Sequence, residues 1–340
     1  MSAIPRPVEP GRSTQTLVQD DDLFRELLHP VEETRFFAEY WDKAALHLAG
    51  HADKFQHLPG IGEIPSLLAG SLTTDRWSAP AASISGSFLD QNGAVRNMGV
   101  VPASMLPALY NAGVSLCLSS VGAGDPRVMR YLQRLKQALR YPGEVLLSGY
   151  LTPPQSGSEL HFDSQHVFML QIAGEKRWRV STTPATPAPP FNLSAANLAD
   201  NGLLGQLRRI DIKVSRPEDM EFAEITLKPG DALYLPPGTW HEPRTIERSF
   251  HYSLTLMPLG ILQILTPILR TLIIKTRAWR RDLRFSDGQQ TSEKEMAEHV
   301  RDALQRLAAE IERTDPEALL RPMLSTPAPA PARREPEGTT

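Results

Sequence analysis

The chain has 340 residues, with 36 basic and 39 acidic side chains and a formal net charge of −3. That near-neutral balance argues against a nucleic-acid binder that works by bulk charge. A single cysteine, Cys117, excludes an internal disulfide framework and a multi-cysteine metal cluster within the chain. Hydrophobic residues make up 41% and charged residues 22%, an ordinary globular mix with room for one large domain or two modest ones. The 30 prolines favour short strands and loops over a helical bundle.

In chain order, residues 1–20 read as a flexible leader without the apolar core of a signal peptide. The cytoplasm is the expected location. Residues 21–258 read as the main domain. The run Glu33–Trp41 places Phe36, Phe37, Tyr40 and Trp41 at helical spacing, which predicts a packing face. Asp125-Pro126 predicts a helix start, and Val128, Leu132, Leu135 and Leu139 form its apolar face up to about Arg140.

From about Glu144 to Met257 the hydrophobic period becomes two. Strands are predicted at Val145–Leu151, Leu160–Phe162, Val167–Ile172, Arg177–Val180, Ile210–Val214, Glu224–Leu227, Ala232–Leu235 and Phe250–Leu256, separated by Gly- and Pro-containing turns. Many short strands with such turns point to a sandwich or small barrel. Residues 182–205 form a long irregular insert of the kind that serves as a lid or a binding loop.

The apolar stretch Leu256–Ile274 is broken by Pro258, Gly260, Pro267 and Arg270, so a buried or interface helix is expected rather than a membrane span. Ser292-Glu293-Lys294-Glu295 has capping-box form, and Met296, Val300, Leu304, Leu307 and Ile311 follow every three or four residues. That amphipathic helix is expected to pack on its predecessor or on a partner chain. Residues 259–324 therefore read as a helical region, and 325–340 as a disordered tail.

Four of the nine histidines fall in or beside the β region: His161, His166, His241 and His251. In Glu159-Leu160-His161-Phe162-Asp163, His161 and Asp163 share one face of a strand. An imidazole and a carboxylate so placed are two-thirds of a facial triad, the ligand set suited to non-haem Fe(II). Lys228–His241 adds a turn, a short apolar strand, a second tight turn and then His241, which offers the third ligand. His166 falls in the wrong strand phase to join that face. His251 could line the barrel but reads first as packing, and His299 as solvated.

Several motifs occur in order: Tyr150-Leu-Thr-Pro-Pro, His161-Phe-Asp163, Val167-Phe-Met-Leu-Gln171, Gly174-Glu-Lys176-Arg-Trp178, Pro229–His241 and Ser249-Phe-His251. Together they resemble the cupin-like JmjC oxygenases, nearest to the ribosomal-oxygenase group of protein hydroxylases, over roughly residues 20–275. The resemblance implies a mainly β chain with flanking helices (α+β). Its core would be a double-stranded β-helix, of cupin or jelly-roll type, followed by a C-terminal helical region. It implies Fe(II), 2-oxoglutarate and O2. By motif match, His161, Asp163 and His241 would be the iron ligands. Lys176 would pair with the distal carboxylate of 2-oxoglutarate, and Tyr150 and Thr255 would help bind that co-substrate. Where the family often has Asn, two positions before Tyr150, this chain has Ser148.

The implied reaction is hydroxylation of an unactivated C–H of an amino-acid side chain in a peptide or protein, with release of succinate and CO2. The same chemistry on a free amino acid or small metabolite is an alternative, as is N-demethylation. A non-catalytic cupin module that binds a metal or partner is a further one. The ribosomal-oxygenase group usually continues into a helical dimerisation region and a winged helix. The residues after the apolar helix leave no room for a winged helix, but the two helices still suit a homodimer. No nucleic-acid or membrane partner is expected.

Overall fold

The computed structural model of the chain describes residues 22–64, 83–90, 95–198, 207, 210–280 and 292–318. The predicted leader and tail, and residues 199–205 of the insert, lie outside the described residues. The chain divides into two compact units between Pro258 and Leu259.

The first unit opens with helices α1 (Leu23–Leu28) and α2 (Glu33–Glu39). Of the predicted aromatic face, Phe36 and Tyr40 are buried, Trp41 is half-buried and Phe37 stays exposed. Phe36 packs edge-on against Tyr234, with ring centroids 4.8 Å apart. Strands β1 (Leu46–Leu48), β2 (Ser83–Leu89) and β3 (Val95–Val100) follow, then helix α3 (Leu106–Asn111), strand β4 (Ser115–Ser119) and a single turn, α4 (Val121–Gly124). Helix α5 (Pro126–Ala138) starts as the sequence predicts, with the Asp125 carboxylate accepting the Arg127 N–H at 2.7 Å. Its Val128, Leu132 and Leu135 are buried.

Beyond α5 come β5 (Val145–Thr152), β6 (His161–Phe162), β7 (His166–Ala173), β8 (Lys176–Ser181), β9 (Leu193–Ser194), the turn α6 (Ala195–Leu198), β10 (Phe222–Leu227), β11 (Ala232–Leu235), β12 (His241–Thr245) and β13 (Ser249–Leu256). They fall into two antiparallel sheets. One runs β1-β11-β7-β13-β5-β4-β2-β3 and the other β10-β8-β12-β6-β9. From β5 to β8, and again from β10 to β13, the chain alternates between the sheets in a fixed pattern. This is the double-stranded β-helix that the sequence implies.

Alternation along each strand separates two cores. Phe168, Leu170, Tyr234, Tyr252, Leu254 and Leu256 face the helices. Val167, Met169, Leu233 and Leu235 of the larger sheet meet Trp178, Val180, Ile225 and Leu227 of the smaller one. Removing each large side chain from water stabilises the fold by roughly 1.5–3 kcal/mol.

One predicted strand does not form. Ile210–Val214 is an irregular segment: Asp211 takes a positive φ of 55°, and the Ile212 N–H donates to the Leu207 carbonyl at 3.0 Å. Val214 packs instead beside Phe162, Leu193 and Trp240.

The second unit contains α7 (Ile261–Lys275) and α8 (Glu293–Glu312), linked by an ion pair between Lys275 and Glu310 at 3.7 Å. The predicted capping box is present. Ser292 Oγ accepts the Glu295 N–H at 3.3 Å, and the Glu295 carboxylate accepts the Ser292 N–H at 2.9 Å. Of the expected buried or interface helix over Leu256–Ile274, the buried alternative is not met within this chain, because none of the described side chains of α7 is buried. Ile261 is 70% exposed, and Leu304 on α8 is 60% exposed. Among the described residues no helix is long and apolar enough to cross a membrane.

Candidate metal and co-substrate site

Strand β6 is only two residues long, and Asp163 lies just past it. The antiparallel partner of His161 is His241, at the start of β12. That register brings both imidazoles to one face, with ring centroids 4.2 Å apart. His241 Nε2 lies 3.8 Å from Asp163 Oδ2. One ligand atom from each of His161, Asp163 and His241 falls within 4.8 Å of the others.

Both imidazoles are held by the nitrogen that faces away. His161 Nδ1 is 2.7 Å from the Glu159 carbonyl, and His241 Nδ1 is 2.9 Å from the Thr239 carbonyl. A carbonyl only accepts, so each Nδ1 carries the proton and each Nε2 keeps its lone pair free. This is the tautomer that a divalent metal needs. Burial and the neighbouring His161 push the His241 imidazole down to about 4, while Asp163 pulls the other way. His241 is therefore neutral near pH 7, as a ligand should be.

Several contacts fix the triad. The Asp163 carbonyl accepts the Gly238 N–H at 2.8 Å, joining the ligand loop to the turn before His241. Gly238 has φ +81°, and a Cβ there would meet the Thr186 carbonyl oxygen at 2.3 Å, so the Pro-Pro-Gly turn requires glycine. The segment leading to His161 is fastened to the end of β12: the Thr245 hydroxyl donates to Pro153 O at 2.7 Å, and the Arg244 guanidinium donates to Ser158 O. The insert acts at the same place. Its β9 pairs with β6, with Ser194 opposite His161, and Asn192 Oδ1 accepts both the N–H and the O–H of Ser164 at 2.8 and 2.9 Å. The described part of the insert, far from irregular throughout, buttresses the strand that carries His161.

Deeper in the barrel, Lys176 is 2% exposed. Its ammonium donates to Thr152 Oγ1 at 2.9 Å and to His251 Nδ1 at 3.0 Å, both uncharged acceptors. Burial pulls its pKa down to about 7. The Tyr150 ring stacks on His251 at 5.0 Å, and burial pushes its phenol well up. Trp178 stands between the two groups, with ring centroids 6.1 Å from His241 and 5.5 Å from His251. Its indole N–H is buried and has no partner among the described residues.

A buried cation without an anion and a buried donor without an acceptor are both costly. Both costs fall away if an anionic ligand runs from the triad to Lys176. The residues present thus fit a divalent metal and a dicarboxylate with a chelating 2-oxo acid end.

The structure therefore brings together His161, Asp163, His241, Lys176 and Tyr150. Thr255 lies on the same face of β13 as His251 and is half-buried, with its hydroxyl 3.4 Å from Ser253 Oγ. Ser148 pairs with Ser253 across β5 and β13. His166 faces the other way, as its phase predicts. It is buried, stacked on Trp41 at 3.7 Å and bonded to the Tyr234 hydroxyl at 2.8 Å. His299 is exposed.

His251 is packed between Tyr150 and Trp178 and also touches Lys176, and Thr152 and Trp178 are additions. Strand parity carries the signal for two of them. Thr152 is two residues from Tyr150 on β5, and His251 is four from Thr255 on β13, so each shares a face with a residue already assigned to the site.

Residues 127–261 match the family model described as the JmjC domain. It is 23% identical to the uncharacterized protein YxbC of Bacillus subtilis over 305 residues, covering 88% of this chain and 90% of that one. It is 26% identical to ribosomal oxygenase 2 of Bos taurus over 239 residues, which covers 67% of this chain. The match covers 46% of that relative, so the chain spans less than half its length. Among solved structures, it resembles YcfD, a ribosomal oxygenase from Escherichia coli in complex with cobalt and 2-oxoglutarate. The TM-score is 0.52 at 16% identity, covering 87% of this chain and 71% of that one. At that identity the likeness shows the fold.

Proposed function

We propose that the chain is an Fe(II)- and 2-oxoglutarate-dependent dioxygenase that hydroxylates an unactivated C–H of an amino-acid side chain in a peptide or protein, releasing succinate and CO2. The observation that carries this reading is the pairing of a two-histidine, one-carboxylate face with a buried, anion-less Lys176 in one barrel. The relatives named as ribosomal oxygenases, and the cobalt and 2-oxoglutarate bound by YcfD, support it. A protein or peptide is the substrate class we favour on the same ground.

His161, Asp163 and His241 would hold the metal through two Nε2 atoms and one carboxylate oxygen. Lys176 would pair with the distal carboxylate of 2-oxoglutarate, with Thr152 and Tyr150 beside it. Thr255 would line the same pocket. When bound, iron with 2-oxoglutarate and O2 supplies the oxidising power that no side chain of the pocket has. The protein's part is geometric and electrostatic. The two Nδ1–H bonds keep the ligand nitrogens unprotonated, the apolar walls from Trp178 and Met169 exclude water, and Lys176 fixes the co-substrate in one orientation.

The open apolar side chains of α7 and α8 support a homodimer through these helices. The cytoplasm is the compartment we propose, where the one cysteine stays reduced.

The test is succinate formation from 2-oxoglutarate under air with added Fe(II), comparing wild type with His161→Ala and Lys176→Ala. Turnover in wild type that both variants lose is the expected result. Absence of turnover in wild type, together with absence of metal-dependent 2-oxoglutarate binding under anaerobic conditions, overturns the reading.

A further inference from the structure

We propose that His251 is a positioning residue of the co-substrate pocket: its Nδ1 holds the Lys176 ammonium at the far end of the barrel, and so confers selectivity for a 2-oxo acid with a second carboxylate. The inference rests on the co-substrate reading above and deepens it.

An ammonium has three N–H donors and no acceptor. Two of the three are taken, by Thr152 Oγ1 at 2.9 Å and His251 Nδ1 at 3.0 Å. The third is left for a ligand. Because Lys176 can only donate, His251 Nδ1 must accept, and the ring proton of neutral His251 sits on Nε2. Thr152 is on β5 and His251 on β13, which are neighbours in the larger sheet, while Lys176 is on β8 in the smaller one. The contact therefore bridges the two sheets and stops the long Lys176 side chain from choosing among rotamers.

His251 is itself fixed on two sides. Tyr150 stacks on one face at 5.0 Å and 12° between ring planes, and Trp178 meets it at 5.5 Å and 89°. Its exposure is 3%. The ring is thus oriented by two aromatic neighbours and spends its lone pair on Lys176. Those contacts would be superfluous in a residue that only filled space, for which leucine would serve.

A hydrogen bond to a charged group is worth more than a neutral one, so losing this acceptor is expected to weaken binding by about tenfold or more. Only a ligand that uses Lys176 pays that loss. 2-Oxoglutarate carries the distal carboxylate, whereas 2-oxobutanoate offers the same chelating end without it.

The experiment measures binding by calorimetry, under anaerobic conditions, to the Mn(II)-loaded full-length protein. Wild type, His251→Leu, His251→Gln and Lys176→Ala are each titrated with Mn(II), with 2-oxoglutarate and with 2-oxobutanoate. Wild type is expected to bind 2-oxoglutarate far more tightly than 2-oxobutanoate. His251→Leu is expected to lose about tenfold or more for 2-oxoglutarate with Mn(II) and 2-oxobutanoate affinities unchanged. His251→Gln, whose side-chain carbonyl restores an acceptor, is expected to recover much of the loss.

Equal affinities in His251→Leu and wild type overturn the proposal, as does an equal loss for both oxo acids, which marks packing alone. Failure of wild type to bind Mn(II) or 2-oxoglutarate overturns the co-substrate reading instead. Wild-type binding that Lys176→Ala leaves intact removes the lysine from the site and His251 with it. Circular dichroism and thermal melting of each variant separate a lost contact from a lost fold.

Discussion

Replacing Lys176 by methionine should stabilise the protein while it abolishes co-substrate binding. Lys176 is held in the barrel without a counter-charge, and burial lowers its pKa from an ordinary 10.5 to about 7. At about 1.4 kcal/mol for each tenfold in proton affinity, keeping that side chain buried near pH 7 costs the fold on the order of 4 kcal/mol. Methionine has a similar length and no charge, so it removes the cost. It also removes the donor to Thr152 Oγ1 and His251 Nδ1, which returns about 1 kcal/mol for each. A net gain of about 2 kcal/mol remains, roughly 4–8 °C in Tm for a unit of this size. The pH dependence gives a second check. Between about pH 7 and 10.5 the unfolded chain binds the Lys176 proton more tightly than the folded chain, so wild-type stability rises with pH across that window. By pH 9 the burial cost falls to about 2 kcal/mol, so the advantage of Lys176→Met should be largest at pH 6 and close to zero by pH 9. Melting of the metal-free protein by differential scanning fluorimetry at both pH values reads this directly. A variant that melts below wild type at pH 6, or an advantage of equal size at pH 9, would refute the reasoning.

Asn192→Ala should weaken Mn(II) binding by about fivefold, the worth of roughly 1 kcal/mol, because it frees the Ser164 backbone beside Asp163; Mn(II) electron paramagnetic resonance titration measures it, and an unchanged affinity makes the contact incidental. Gly174 has φ +65°, and a Cβ there would meet the Arg248 carbonyl oxygen at 2.0 Å. Gly174→Ala should therefore cost on the order of 1–3 kcal/mol in urea denaturation and misplace Lys176 two residues on. Leu304→Glu puts a charge on the exposed apolar face of α8. Light scattering after gel filtration should give twice the chain mass for wild type and a monomer for the variant, and a monomeric wild type removes the dimer.

The barrel was legible because its strands have two buried faces with different jobs. In Phe250–Leu256 the outward residues are Phe250, Tyr252, Leu254 and Leu256, all in the helix-facing core. The turns were legible because glycine and proline mark them, as at Pro229-Gly230 and Pro236-Pro237-Gly238. Other parts left weaker traces. Strand β12 begins at His241 and contains Pro243, so propensity gives no reason to expect it there. Strand β9 is two residues long inside a Pro-rich insert, and only its pairing with β6 defines it. Helix α7 has the composition of a buried helix, yet its side chains are open. Apolar composition reports what a surface prefers to bury, not whether this chain supplies the cover.

The site divides along the same line. Strand phase and turn pattern marked His161, Asp163 and His241 as candidates, and the family resemblance added Lys176; each lies on or beside a strand of the smaller sheet. Thr152 and His251 come from the larger sheet, 24 and 75 residues from Lys176 in sequence. No spacing rule spans that distance. Parity does part of the work: on β13 the inward residues His251, Ser253 and Thr255 alternate with the apolar outward set. A strand whose apolar residues all face one core and whose polar residues all face the other must line a polar cavity, since buried polar groups such as His251 and Ser253 would each cost free energy in an apolar interior. Assigning Thr255 to the pocket therefore commits His251 to it. Parity cannot supply the closing of the barrel that sets Lys176 against that face. That closing makes the lysine's cost to the fold and its use to the ligand the same fact.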